Sequence, residues 1–349
     1  MITPEVETDP KSFPRVRVVI PCRNEARFIG PCLLSLVAAD RSNMHLEVCV
    51  CDGMSDDGTR EEIKGIASVH PWIKLMDNPA RTTPQAMNIG LRPEGFDIGI
   101  ILGAHAEVDK EFLKENMALL RDHPEVGCAG GVIENVYVDE ASRRIGAAMG
   151  HPFGVGGAHF RTGRKEGEVD TVAFGAYRRE VFDQVGFFDE RLVRNQDDEF
   201  NYRVTQAGWR IRLSYKIRSK YYVRASLGRL FRQYRQYGYW KVYVNRLHRA
   251  ITTWRQLVPA ALVAFLSLGP AISWTGPIAF GLFLAGVTGY VLVAFVSAFR
   301  SASQVKDIPG IMATFFVLHV SYGIGYWHGI FDLILLRREP LSKAHALTR

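Results

Sequence analysis

The sequence predicts an α/β domain with a mostly parallel sheet, followed by basic amphipathic helices and then by C-terminal membrane helices. Three observations lead there. Over the first hundred residues, short valine- and isoleucine-rich runs alternate with helix-period segments, the pattern of a parallel sheet with helical crossovers. Between 200 and 255 the chain carries fourteen Lys/Arg and no acid, and from 256 to 299 it carries no charged residue at all. The length of 349 residues suggests two units, and 47% hydrophobic with 23% charged residues excludes disorder. A mean hydropathy of −0.02 and a net charge of +7 therefore average over unlike parts, because the basic stretch alone holds +14.

The elements follow in order. Residues 1–14 form an acidic extension with Glu5, Glu7 and Asp9 and no apolar run, unlike a secretory signal. Residues 15–21 (RVRVVIP) read as a strand and 24–39 as a helix. A second strand at 46–51 (LEVCVC) ends in the turn-forming run 52–59, and a helix follows at 60–67. A short strand at 73–76, a helix at 83–91 and a buried strand at 98–102 (IGIIL) complete the alternation. Cys22, Cys32, Cys49, Cys51 and Cys128 are odd in number and lack zinc spacing, so they read as reduced, partly buried cytosolic thiols. Ligands of such sheets sit at the carboxyl ends of the strands, here 21–25, 52–57 and 103–107. Neither a dinucleotide-binding G-x-G-x-x-G nor a P-loop motif occurs.

Strand one leads into Pro21-Cys22-Arg23-Asn24-Glu25, and strand two into Asp52-Gly53-x-Ser55-x-Asp57-Gly58-Thr59. On these residues the chain resembles a family 2 inverting glycosyltransferase of GT-A fold, from about 15 to 247. It is most similar to the membrane-tethered transferases of bacterial exopolysaccharide (succinoglycan-type) synthesis. The resemblance implies a nucleotide-sugar donor, a UDP-sugar, with Asp52 accepting from the uracil N–H and Pro21, Arg23 and Glu25 around base and ribose. Read without it, Asp52 is a turn acid and Glu25 a helix first-turn acid. Asp56 and Asp57 are expected to fix the turn and cap the next helix.

The family's metal motif, Asp-x-Asp, should follow the strand at 98–102, where this chain has Gly103-Ala104-His105-Ala106-Glu107. Relatives in the exopolysaccharide group have Asp-Ala-His-Ala, so Gly103 replaces the first acid. The resemblance implies a divalent metal, Mn²⁺ or Mg²⁺, with His105 as its ligand, and imidazole favours Mn²⁺. A histidine bonded within its own loop, or a head that has lost catalysis, are the alternatives.

Further on stands Asn195-Gln196-Asp197-Asp198-Glu199, where the family has a Glu-Asp pair. By resemblance Asp197 is the general base, with Gln196 and Asp198 on the acceptor side. Adjacent acids raise one another's proton affinity when desolvated. In a helix Asp197 and Asp198 point about 100° apart, and Glu199 can reach Arg203 one turn on. A solvated acidic helix start is the plain alternative. Gln236-Tyr237-Gly238-Tyr239-Trp240 resembles the Gln-x-x-Arg-Trp motif of processive synthases, with Tyr239 where arginine belongs. That likeness puts Gln236 near the diphosphate and Trp240 beside the acceptor, although Trp240 serves equally well as an interfacial anchor.

The expected domains are a catalytic domain at 15–215, basic interfacial helices at 216–255, a membrane-embedded region at 256–336 and a basic tail at 337–349. The embedded segments are 257–273, 277–299 and 311–336. Aromatic and basic residues interleave in the collar at helical spacing, which fits anionic membrane lipids and not nucleic acid. The collar places the head in the cytoplasm at the inner (plasma) membrane. The third segment, with His319, His328 and Asp332, either crosses or re-enters; the latter keeps Arg337, Arg338, Lys343 and Arg349 inside. The expected activity is inverting transfer of one sugar to a lipid-linked saccharide. A processive synthase and a non-catalytic nucleotide-sugar-binding scaffold are the rivals.

Overall fold

A computed structural model describes residues 13–163, 165–223 and 226–340. Most of the expected N-terminal extension, Arg224 and the tail beyond 340, with Lys343 and Arg349, lie outside the described residues. In chain order the first elements are β1 (Arg15–Cys22), α1 (Ala26–Ala38), β2 (His45–Asp52), α2 (Thr59–Val69), β3 (Ile73–Asp77), α3 (Thr83–Leu91) and β4 (Ile98–Ile101). After them come β5 (Ala106–Val108), α4 (Phe112–Asp122), β6 (Val126–Val136), α5 (Glu140–Met149) and the single turns α6 (Pro152–Val155) and α7 (His159–Thr162). Next are β7 (Gly167–Glu168), β8 (Ala173–Arg178), α8 (Arg179–Val185), α9 (Gln196–Gln206) and β9 (Arg210–Tyr222). The chain closes with α10 (Leu227–His248), α11 (Leu257–Ser273), α12 (Pro277–Ser301) and α13 (Ile308–Gly329).

Two compact units form. The first comprises 1–134, 165–190 and 200–221; the second comprises 135–164, 191–199 and 222–349. These unit borders do not coincide with the expected ones at 215/216 and 255/256. Residues 216–222 continue β9, because their alternation Lys216 out, Ile217 in, Arg218 out, Ser219 in is that of a strand. The segments 135–164 and 191–199 belong with the C-terminal helices, since their apolar side chains find partners there.

The first unit is built on a mixed sheet in the order β3-β2-β1-β4-β8-β6-β9-β5, with β7 on β9. Its nucleotide-side core is parallel: β1 pairs with β2 and β4, and β2 with β3. Beyond β4 the pairing with β8 turns antiparallel. Strands β1 and β2 are buried on both faces (Val18, Val19, Ile20, Val48, Val50), which is why they read as continuous apolar runs. Helix α1 adds Ile29, Leu33 and Leu36 to the same core. All five cysteines are free, as expected, and buried.

In the second unit, α10 and α13 run side by side. A Cβ on Gly238 would stand 2.0 Å from the Tyr322 carbonyl oxygen, and one on Gly325 would stand 1.9 Å from that of Arg235. Glycine at both positions is what lets the backbones touch. Tyr239, Trp240, Val242 and Tyr243 fill this interface with Tyr326 and Leu333. The collar is therefore one helix whose second half is core, which corrects the expectation of interfacial helices across 216–255. Helices α11 and α12 form a hairpin joined by the turn after Ser273, closed by Phe265 against Phe283 at 5.2 Å between ring centres. Its surface is almost wholly exposed and apolar, with Trp274 91% and Ile278 80% accessible at the tip. Three segments, 254–273, 277–301 and 305–335, are long and apolar enough to cross a membrane. The third differs from the other two because nearly half of it is covered by protein.

Candidate active site

In the first unit, β1 lies between β2 and β4, so the strand order reverses beside it and opens a crevice at the strand ends. The turns after β1 and β2 are laced together. Gly53 N–H donates to the Cys22 carbonyl at 2.7 Å, and Asn24 N–H donates to Ser55 Oγ at 2.7 Å. Glu25 N–H donates to Thr59 Oγ1 at 2.8 Å. Asp57 accepts from Ala26 N at 3.2 Å and from Thr59 N at 3.1 Å, so one carboxylate serves the first turns of both α1 and α2. Those bonds hold its proton affinity below the usual carboxylate range, against a larger opposing effect of desolvation. Asn24 and Met54 take left-handed conformations (φ 52° and 58°), and Arg23 folds over Gly53, where a Cβ would meet it at 3.1 Å.

Asp52 is enclosed by groups of its own loop. Its side chain is fully buried. It accepts from Ser55 N at 2.9 Å, from Ser55 Oγ and from Arg60 Nη1 at 2.8 Å, and Arg60 also holds Asp77 at 2.7 Å. A carboxylate closed in this way anchors the loop 52–60, and a base N–H reaches it only if Ser55 moves aside. Pro21, Arg23 and Glu25 are each partly accessible around that loop.

The turn after β4 is closed by Ala106 N–H to the Gly103 carbonyl at 3.0 Å, which lifts His105 to its tip. His105 Nδ1 lies 3.9 Å from Glu25 Oε1, and its ring meets Tyr221 edge-on at 5.1 Å. One six-coordinate ion holds neighbouring donors about 3 Å apart and opposite donors about 4 Å apart, so this pair fits a single cation. Among the described residues no group of three or more His, Cys, Asp or Glu could hold a metal. His105 and Glu25 are thus the two side chains here that could together hold a cation. Gly103 explains the missing acid: a Cβ there would lie 3.3 Å from Phe174 Cε1. Phe174 sits at φ 50°, a costly conformation for an aromatic residue, and its ring stands where an aspartate side chain would begin.

In the second unit, Asn195 (φ 60°) precedes the first turn of α9 and donates to the Tyr237 carbonyl at 3.0 Å. Arg194 donates to Gln236 Oε1 at 3.1 Å, which gives Gln236 a bracing position. Asp198 pairs with Lys241, a lysine only 4% exposed, and buried Glu199 meets His248 at 2.9 Å. Arg203 donates to the Phe187 carbonyl at 2.8 Å. Asp197 keeps its own surface open to solvent. The protein crowded around it raises its pKa by desolvation and then by repulsion from Asp198, against the backbone N–H groups of Asp198 and Asp197 and the more weakly felt Lys241, which lower it. The amide oxygen of Gln196 is buried without a hydrogen-bond partner. Trp240 is fully buried among Val193, Tyr239 and Tyr243, so packing, and not an interface or a sugar, occupies its ring.

Sequence reasoning missed Ser55, Arg60, Phe174, Tyr221, Lys241 and His248. Only Phe174 left a trace, because a lost acid at 103 calls for something in its place. Ser55 and Arg60 lie three and eight residues from Asp52, within a turn whose side-chain pairing the sequence does not show, and Tyr221, Lys241 and His248 act across long sequence separations.

Comparisons with known proteins bear on the family and the fold. The family described as Glycosyl transferase family 2 matches residues 17–186. The chain is 29% identical over 321 residues to the succinoglycan biosynthesis protein ExoA of Rhizobium meliloti (strain 1021), covering 90% of this chain and 94% of that protein. It is 28% identical over 230 residues to a dolichyl N-acetyl-α-D-glucosaminyl phosphate 3-β-D-2,3-diacetamido-2,3-dideoxy-β-D-glucuronosyltransferase of Methanococcus voltae, covering 64% of this chain and 71% of that one. Among solved structures, a mannosyltransferase of Pyrobaculum calidifontis in complex with GDP-Man and Mn²⁺ superposes with a TM-score of 0.56 at 22% identity, over 90% of this chain and 88% of that one.

Proposed function

Since the chain is a glycosyltransferase carrying a family 2 domain on a GT-A fold, and is homologous to a succinoglycan biosynthesis protein, we propose that it transfers one sugar from a UDP-sugar to a lipid-linked saccharide with inversion. The observation that carries this reading is Asp197: an open carboxylate of raised proton affinity at a helix start, with its neighbours Asp198 and Glu199 tied to Lys241 and His248. Asp197 takes the proton of the acceptor hydroxyl as its oxygen bonds the anomeric carbon. The bond from that carbon to the diphosphate breaks on the opposite face, and UDP leaves with the electron pair. The unpartnered oxygen of Gln196 accepts from a neighbouring hydroxyl of the acceptor. Pro21, Arg23 and Glu25 surround the nucleotide, and Asp52 orders their loop through Ser55 and Arg60. A divalent cation held by His105 and Glu25, Mn²⁺ in preference to Mg²⁺, would neutralise the departing diphosphate.

A lipid-linked acceptor is supported by the long apolar helices and by the Methanococcus relative, whose name specifies a dolichyl phosphate acceptor. The same helices support residence in a membrane, and the basic stretch ahead of them supports a head on the cytoplasmic side of the inner membrane. The test incubates purified protein with a panel of UDP-sugars and follows UDP release with and without lipid-linked acceptor, then repeats the best pair with Asp197→Asn and with excess EDTA. Single-sugar product, lost in Asp197→Asn, is expected. Absence of release across the panel identifies a binding scaffold, and long product a processive synthase; activity in EDTA equal to that with Mn²⁺ removes the metal.

A further inference from the structure

Beside the last turn of α10, well separated in sequence from the catalytic residues, the second unit holds a cavity of about 780 Å³. Its lining combines the apolar Val242, Ile251, Ile330 and Ile334 with three arginines, Arg246, Arg249 and Arg337. Arg246 is committed to structure, since it donates to the Leu333 carbonyl at 3.3 Å and to that of Arg338 at 3.0 Å. Arg249 and Arg337 differ from it. Both are exposed, and neither side chain meets a carboxylate or carbonyl among the described residues. Both also hold a left-handed backbone with φ 51°, which Arg249 adopts at the C-cap of α10, where glycine is the economical residue. Two arginines in glycine's conformation, bordering one cavity and lacking partners, indicate that the side chains themselves are wanted there.

The surroundings define what they face. Trp254 is 74% exposed next to the start of α11, and Phe331, Leu335 and Leu336 are exposed at the chain end of α13. A guanidinium pair together with open apolar surface matches a molecule with an anionic head and a hydrocarbon body. Guanidinium forks suit phosphate oxygens, which they bind two bonds at a time.

We propose that this cavity binds the phosphate head of a membrane lipid, with Arg249 and Arg337 on the phosphate and the chain along Ile251, Ile330 and Ile334. The proposal stands apart from the transferase reading, because none of these residues belongs to the donor or base groups, and its test measures no turnover. Full-length protein in detergent is titrated in native mass spectrometry with phosphatidylglycerol, polyprenyl diphosphate, phosphatidylcholine or inorganic pyrophosphate. One bound anionic lipid in preference to phosphatidylcholine is expected, weakened about thirtyfold in Arg249→Gln/Arg337→Gln, since each basic side chain at a bilayer surface is worth roughly a factor of five. Arg229→Gln/Arg232→Gln, two exposed charges elsewhere on α10, should leave it unchanged. Tighter retention of polyprenyl diphosphate assigns the site to the acceptor, and of phosphatidylglycerol to the bilayer. Pyrophosphate binding as tightly as lipid overturns the lipid assignment. Equal binding by wild type and the first double variant, or equal loss in both double variants, overturns the site.

Discussion

Lys241→Met and Asp198→Asn should move the pH dependence of transfer in opposite directions. If Asp197 is the base, as proposed, it works as a carboxylate, so the rate falls as pH drops through its pKa. Desolvation and then Asp198 raise that pKa, and Lys241 lowers it. Replacing Lys241 removes the attraction and also leaves Asp198 unneutralised, so both effects raise the pKa and the acid limb moves to higher pH. Replacing Asp198 removes the repulsion and leaves the ammonium uncompensated, so the limb moves to lower pH. Along the limb the rate changes about tenfold per pH unit, which makes even a modest shift visible. The stability cost differs between the two. Methionine keeps the buried stem of Lys241 (5% exposed) and strands an Asp198 that is 32% exposed, which should cost about 1–2 kcal/mol. Asp198→Asn strands a nearly buried ammonium and should cost more, about 2–4 kcal/mol. The assay is initial UDP release at saturating donor from about pH 4 to 9, with circular dichroism confirming that each variant is folded. Limbs that stay in place, or that move the same way in both variants, would refute Asp197 as the titrating base.

Asp197→Asn should lower the transfer rate about 10²- to 10⁴-fold with an unchanged melting temperature, measured by UDP release and thermal denaturation. Asp307→Ala should destabilise the second unit by about 2–4 kcal/mol, read from denaturant unfolding, because it strands Arg143 and Arg144, which hold that buried carboxylate at 3.0 and 2.8 Å. Burial pushes the thiols of Cys32 and Cys51 up to about 12 and that of Cys49 up to about 11, so a water-soluble maleimide at mildly alkaline pH should label none of the five cysteines until the protein is unfolded. Arg249→Gly should leave the unfolding free energy equal or raise it, by about 1 kcal/mol at most, read from denaturant unfolding, since glycine relieves the left-handed backbone.

The parallel half of the sheet was legible because each strand is an apolar run bounded by turn residues: β1, β2, β3 and β4 begin and end within one or two residues of where the sequence places them. β5 has three residues and β7 two, too short to show a period, and both are defined by pairing with distant β9. The collar misled because its positive charge is visible while its packing is not. Arg229, Arg232 and Arg235 do face outward, yet Trp240 and Lys241 on the same helix are core. At the site, residue types named the strand ends correctly. Partnerships were hidden, so an acid expected to meet a base, Asp52, proved to be spoken for by Ser55 and Arg60.

The contact of α13 on α10 also orders events during synthesis. The second half of α10, which carries Lys241 and His248, buries itself against a helix that is made only after the α11–α12 hairpin. The turn bearing Asp197, Asp198 and Glu199 therefore gains its braces, Lys241 and His248, in their final packing only after that later helix has been made.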